Sequence, residues 1–173
     1  MKTLTDLAKG YNKNDDLKKI FTFNRGIERE TLRATENGRL SEKPAPKALG
    51  NILTHPFITA DFAEAQPELI TSVHDSPKRV LDELEKIHAF MARTLNDELM
   101  WSASMPCELP PKSRIKIADF GQSNLGKLKG LYRSGLSKRY GKEMQTICAI
   151  HYNFSFNEDF WGNLKKTEKA EES

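Results

Sequence analysis

Residues 25–33 read RGIERETLR, an alternation of charge that makes sense on an extended backbone. In a β-strand successive side chains point to opposite faces. Glu28 and Glu30 then share one face, while Arg25, Ile27, Arg29, Thr31 and Arg33 share the other. Two carboxylates about 7 Å apart on one face repel unless something positive sits beside them. The identity of that positive group is the chemical question this sequence raises.

Working outward, the strand reads as "FTFNRGIERETLRAT", residues 21–35, and "ENGR" places an Asn-Gly turn after it. Residues 41–56 hold Pro44, Pro46 and Pro56 and read as loop. "FITADFAEAQPELITSV", residues 57–73, has strand-like ends around Pro67. A strand is expected from about Glu68, at a sheet edge, because proline cannot donate to a ladder. "SPKRVLDELEKIHAFMARTLNDEL", residues 76–99, is the clearest helix. Ser76 can cap it, Pro77 suits its first turn, and Val80, Leu84, Ile87, Met91 and Leu95 recur at helical spacing.

"MWSASMPCELPP" reads as loop, and residues 125–140 as a basic helix that Gly141 ends. "MQTICAIHYNFSF", residues 144–156, alternates like a strand. His151, Asn153 and Ser155 fall on one face and Tyr152, Phe154 and Phe156 on the other. Residues 3–20 read as short amphipathic helical pieces, and residues 162–173 as a polar, disordered tail. The order of strands, helix, helix and strand predicts an α+β fold, mainly an antiparallel sheet with flanking helices, within one domain over residues 1–161.

The chain of 173 residues holds no run of eighteen apolar residues, which excludes a membrane-spanning helix. Its first residues lack the apolar core and cleavage site of a secretory signal, so the cytoplasm is the expected compartment. Cys107 and Cys148 have no C-x-x-C spacing and read as reduced, unbridged thiols. A net charge of +3 is too small to imply nucleic acid by itself. The positions are uneven, however: Lys112, Arg114, Lys116, Lys127, Lys129, Arg133, Lys138, Arg139 and Lys142 face one acid, Asp119. Such a local excess attracts phosphates.

Four features can carry chemistry. Glu28 and Glu30 form either a solvated strand face or part of a divalent-cation site, since Mg²⁺ takes hard oxygen ligands from one or two carboxylates and substrate phosphates. Glu64 and Glu68 are either ordinary surface acids or, if the sheet brings Glu68 beside the first pair, a third carboxylate that needs a cation. His151 is either structural or a ligand on its polar strand face. Tyr132 and Leu136, four apart, make either a binding stripe or plain core packing beside the basic run.

Taken together, "RGIERETLR", "LTHPFITADFAEAQPELIT", "SMPCELP", "GQSNLGKLKGLYRSGLSKRYG" and "MQTICAIHYNFSF" resemble, in this order, the N-terminal part of the bacterial glutamate–cysteine ligase family, whose catalytic domain is glutamine-synthetase-like. The resemblance implies ATP- and Mg²⁺-dependent joining of L-glutamate to L-cysteine, through a γ-glutamyl phosphate, in the first step of glutathione synthesis. It implies Glu28, Glu30, Glu68 and His151 as metal ligands and Phe62, Tyr132, Leu136 and Gln145 as the lining of the cysteine pocket. Family members continue for several hundred residues, so the chain is expected to be inactive alone. The alternative is a non-catalytic module that binds a nucleotide or nucleic acid through residues 112–142.

Overall fold

The computed structural model describes residues 23–162, so the reading for residues 3–20 lies outside the described residues. So does that for the tail over 162–173, apart from Gly162, which belongs to a helical turn over residues 158–162 rather than starting a disordered segment. The elements run β1 (Phe23–Glu30), β2 (Leu32–Thr35), β3 (Ile58–Ala60), β4 (Pro67–Ile70), α1 (Pro77–Thr94), β5 (Glu98–Trp101), α2 (Asn124–Tyr140) and β6 (Ile150–Phe156). Four strands form a sheet in the order β3-β4-β1-β6, and β2 pairs with β5 in a second, smaller sheet. Every ladder between these strands is antiparallel, giving the expected α+β architecture.

The single strand expected over residues 21–35 is two strands in two sheets. The break is at Thr31, whose N–H donates to Pro67 O at 3.0 Å and whose hydroxyl donates to Trp101 O at 2.7 Å. Beyond it, Arg33 is 1% exposed and paired to Glu98 at 2.9 Å. The same guanidinium donates to the carbonyls of Lys43, Pro44 and Glu64. A buried charge holds only where paired and hydrogen-bonded, so Arg33 fixes β2 against β5. That partner also explains why the helix expected to residue 99 stops at Thr94: residues 98–101 pair with β2 instead.

Pro67 was expected to mark an edge strand, yet β4 lies between β3 and β1. It is tolerated because it is the first residue of its strand, where its carbonyl accepts from Thr31. At the other end of the chain, residues 144–146 form a 3₁₀ turn, and β6 begins only at Ile150.

α1 covers one face of the large sheet. Ser76 accepts from the Arg79 N–H at its start, and Ile87 and Met91 pack with Leu49, Ile58 and Leu69. A second core joins Leu32, Phe62, Cys107, Ile115 and Cys148, with Leu136 of α2 packed against it. α2 starts at the Ser123 cap and ends at Gly141, whose φ of 84° belongs to the region glycine favours. Gly126 is needed for a different reason: a Cβ there would overlap the carbonyl oxygens of Phe120 and Gly121. Among the described residues, no helix is long and apolar enough to cross a membrane.

Candidate metal centre

The face of the large sheet opposite α1 gathers the acids. Strand parity puts Glu28 and Glu30 together. Glu68 lies directly opposite Glu30 in the β1–β4 ladder, and His151 directly opposite Glu28 in the β1–β6 ladder. Residues opposite one another share a face, so three strands aim four side chains at one place. Glu28, Glu68 and His151 each offer a ligand atom, and these atoms all lie within 4.8 Å of one another. The His151 Nδ1 is 3.4 Å from Glu28 and 3.9 Å from Glu30.

Two hydrogen bonds orient the carboxylates. Asn153 Nδ2 donates to Glu28 Oε1 at 2.9 Å, and the Ala149 N–H donates to Glu30 Oε2 at 2.9 Å. Burial and the nearby charges of Asp61, Glu28 and Glu30 push the Glu68 carboxyl up to about 7. Burial also raises Glu30, against the opposing pull of the Ala149 N–H. Among the described residues, the positive charges that act on these half-buried acids are His151 and the Arg133 guanidinium, which interacts with Glu68 from α2. Such a set of carboxylate oxygens and an imidazole fits a divalent cation.

Asp61, which the sequence reading passed over, belongs to the same electrostatic group. Burial raises its pKa, while Arg133 and His151 oppose the shift. Its place could have been found from parity: Thr59 pairs with Glu68, so position 61, two residues on, returns to the same side. Glu64, by contrast, does structural work. Its two carboxylate oxygens accept from the backbone N–H groups of Ala45 and Asp119.

None of the three arginines of residues 25–33 sits on the acidic face. Arg25 donates to Asp75 O at 2.7 Å, Arg29 contacts His88 Nε2 at 2.8 Å, and Arg33 pairs with Glu98. Burial and the Arg29 charge hold the His88 pKa down, so the imidazole is suited to accept from Arg29.

The four residues expected around the cysteine substrate are placed unevenly. Phe62 is fully buried and shares a core with Leu136. Tyr132 stands exposed on α2, and Gln145 lies in the 3₁₀ turn rather than in a strand. α2 is held against the end of β3 by Arg133, which donates to the carbonyls of Asp61 and Ala60 and lies 4.5 Å over the Phe120 ring. Cys148, buried nearby, has its thiol pushed up to about 12 by burial and by Glu30; it and Cys107 are both free.

Beside Glu28 the sheet opens into a groove of about 310 Å³, lined by Asn24, Gly26, Thr71, Asn153 and Ser155. The basic run over residues 112–142 is not one free face. Arg114 pairs with Glu42, Lys116 donates to Glu42 O, and Lys142 donates to Ile115 O.

The profile of the glutamate-cysteine ligase family matches residues 9–173. A glutamate–cysteine ligase from Pseudomonas entomophila is 51% identical over 148 residues, covering 86% of this chain and 28% of that protein. One from Pseudomonas savastanoi pv. phaseolicola is 52% identical over 143 residues, with 83% and 27% covered. Among solved structures, a Francisella tularensis glutamate–cysteine ligase in complex with AMP aligns with a TM-score of 0.81 at 46% identity, over 86% of this chain and 30% of that one. A bifunctional glutathione synthetase from Pasteurella multocida aligns with a TM-score of 0.79 at 33% identity, over 88% and 20%. The chain thus spans under a third of the length of these relatives, and it belongs to the glutamate–cysteine ligase family.

Proposed function

We propose that this chain carries the metal-binding face of an ATP- and Mg²⁺-dependent glutamate–cysteine ligase, which joins the γ-carboxylate of L-glutamate to the amine of L-cysteine through a γ-glutamyl phosphate. The observation that carries the reading is the convergence of Glu28, Glu68 and His151 within 4.8 Å on one sheet face. The reaction must hold two anions together, the glutamate carboxylate and the nucleotide γ-phosphate. Divalent cations bound to this face would offset that repulsion and the charge that develops on transfer.

This chain's own residues would do the positioning. Glu28, Glu30, Glu68 and His151 would hold the cation, with Asn153 and the Ala149 N–H fixing two of the carboxylates. The groove beside Glu28 would take the nucleotide; the AMP complex of the Francisella tularensis relative supports a nucleotide site in the family. Phe62, Tyr132, Leu136 and Gln145 would line the cysteine pocket. A cytoplasmic location belongs to the same proposal, and two unbridged thiols support it.

The test is a family-length enzyme, the Pseudomonas entomophila ligase with its matched segment replaced by this chain. Phosphate release that requires ATP, Mg²⁺, glutamate and cysteine together, and that falls at least a hundredfold in Glu28→Gln, is the expected result. Unchanged turnover in Glu28→Gln would overturn the assignment.

A further inference from the structure

Arg133, half-buried on α2, grips the end of β3 in two ways. Its guanidinium donates to three carbonyls: Nε to Asp61 O, Nη2 to Ala60 O at 3.2 Å, and Nη1 to Lys129 O at 3.2 Å, one turn back on its own helix. The central carbon of the same group lies 4.5 Å from the ring centroid of Phe120, which is buried in a core with Ala60. The segment that carries Phe120 is tied to the same place, because the Ala118 N–H donates to Phe62 O at 3.0 Å. Residues 60–62 and 118–120 are thus bonded to each other, and one guanidinium holds α2 to both. Lysine could not replace it. An ammonium is a point donor on a flexible stem, whereas the planar fork serves several carbonyls at once and stacks on a ring.

The residues flanking this contact are those proposed for the cysteine pocket. Phe62 follows Asp61, Tyr132 precedes Arg133, and Leu136, about one turn further along α2, packs against the core that contains Phe62. We propose that Arg133 is the positioning residue of the cysteine site. It sets Tyr132 and Leu136 on α2 against Phe62 at the end of β3, and acts through them rather than on a substrate. The inference rests on the ligase function proposed above. The groove beside Glu28 has no lining residue on α2 or in residues 60–62, so a loosened α2 reaches cysteine and not the nucleotide.

The experiment uses the family-length chimaera described above and Arg133→Lys, which keeps the charge and loses the fork. The expected result is a KM for cysteine raised at least tenfold, with kcat and the KM values for ATP and glutamate each changed less than threefold. A partly unfolded population would instead lower kcat and leave KM alone. Lys129→Ala, which removes the other cation near the Phe120 ring, 5.0 Å from its centroid, should change none of these values. Phe120→Leu, which keeps an apolar core residue and removes the ring beneath the guanidinium, should raise the KM for cysteine at least threefold, and decides the matter where Arg133→Lys does not fold. Hydrogen exchange of the same chimaera reads the clamp without activity. Amides of residues 128–136 should exchange at least tenfold faster in Arg133→Lys than in the unsubstituted protein, and those of α1 equally fast. An unsubstituted chimaera without ligase activity would count against the proposed function, and the exchange comparison would still decide the clamp. An unchanged KM for cysteine, an equal rise for all three substrates, or unchanged exchange in α2 would each overturn the inference.

Discussion

Glu28 and His151 face each other directly across the β1–β6 ladder, with the imidazole Nδ1 3.4 Å from the Glu28 carboxylate. The two residues are 123 positions apart in sequence, so the pair exists only because residues 150–156 return to the strand that carries Glu28. The same ladder places Asn153 to donate to Glu28. Glu68 arrives from the other side, on β4, and the cluster is therefore a product of the three central and outer strands rather than of any one segment.

The first prediction concerns pH. The Glu68 carboxyl titrates near 7 in the fold against an ordinary 4.5. Between those values the folded chain holds more protons at this site than the unfolded chain does, so this group's contribution to stability falls as pH rises from about 4.5 to about 7. Denaturant titrations of the metal-free chain at pH 5 and pH 8 should show that loss, and Glu68→Gln should flatten it. Added Mg²⁺ should stabilise the chain at pH 8 more than at pH 5, because protons compete with the metal for the same oxygens.

Arg33 gives a stability prediction independent of the metal. Its guanidinium is 1% exposed and its partner Glu98 only 6%, so Arg33→Ala leaves a buried carboxylate uncompensated. A loss of about 3–5 kcal/mol is expected from breaking one side of such a pair. The double substitution Arg33→Met with Glu98→Leu should recover much of it. Urea unfolding monitored by Trp101 fluorescence would measure both, and a loss under about 1 kcal/mol in Arg33→Ala would contradict the role given to the pair.

The thiols should be inert in the folded chain. Cys148 is pushed up to about 12 and Cys107 is also raised by burial, so little thiolate is present at neutral pH. A thiol reagent at pH 7.5 should label neither within minutes and both after denaturation. An intact mass two units lower under non-reducing conditions would instead reveal a bridge.

Much of this arrangement was legible from residue patterns, and the parts that were not share a cause. Glu28 and Glu30 follow from the two-residue period of a strand, and the α1 core from Val80, Ile87 and Met91 at helical spacing. The break at Thr31 was hidden because β-period alternation continues through Leu32 and Arg33, and only the buried partner Glu98 shows that the chain has changed sheets. Residues 98–101 looked like the end of a helix because nothing local marks a strand whose partner lies some 65 residues away. Pro67 suggested an edge, when its place as first residue of β4 made an inner position tolerable. Asp61 was missed because its parity matters only once β3 is paired with β4.

Activity gives a further prediction. The chain supplies Glu28, Glu30, Glu68 and His151, but a phosphoryl transfer between two substrates needs groups around both of them held in place together. The isolated 173-residue chain should therefore release no phosphate from ATP above the Glu28→Gln blank in the presence of Mg²⁺, glutamate and cysteine. Robust turnover that the substitution abolishes would show that the described face is sufficient on its own.

The most direct measurement is a titration of the isolated chain with Mn²⁺, as a spectroscopic substitute for Mg²⁺, followed by electron paramagnetic resonance at pH 8. Saturable binding is expected, with affinity reduced at least tenfold by Glu68→Gln and by His151→Ala, and unaffected by Glu64→Gln, whose carboxylate is engaged by Ala45 and Asp119. Binding that is absent, or that survives both Glu68→Gln and His151→Ala undiminished, would contradict the assignment of this sheet face as a divalent-cation site.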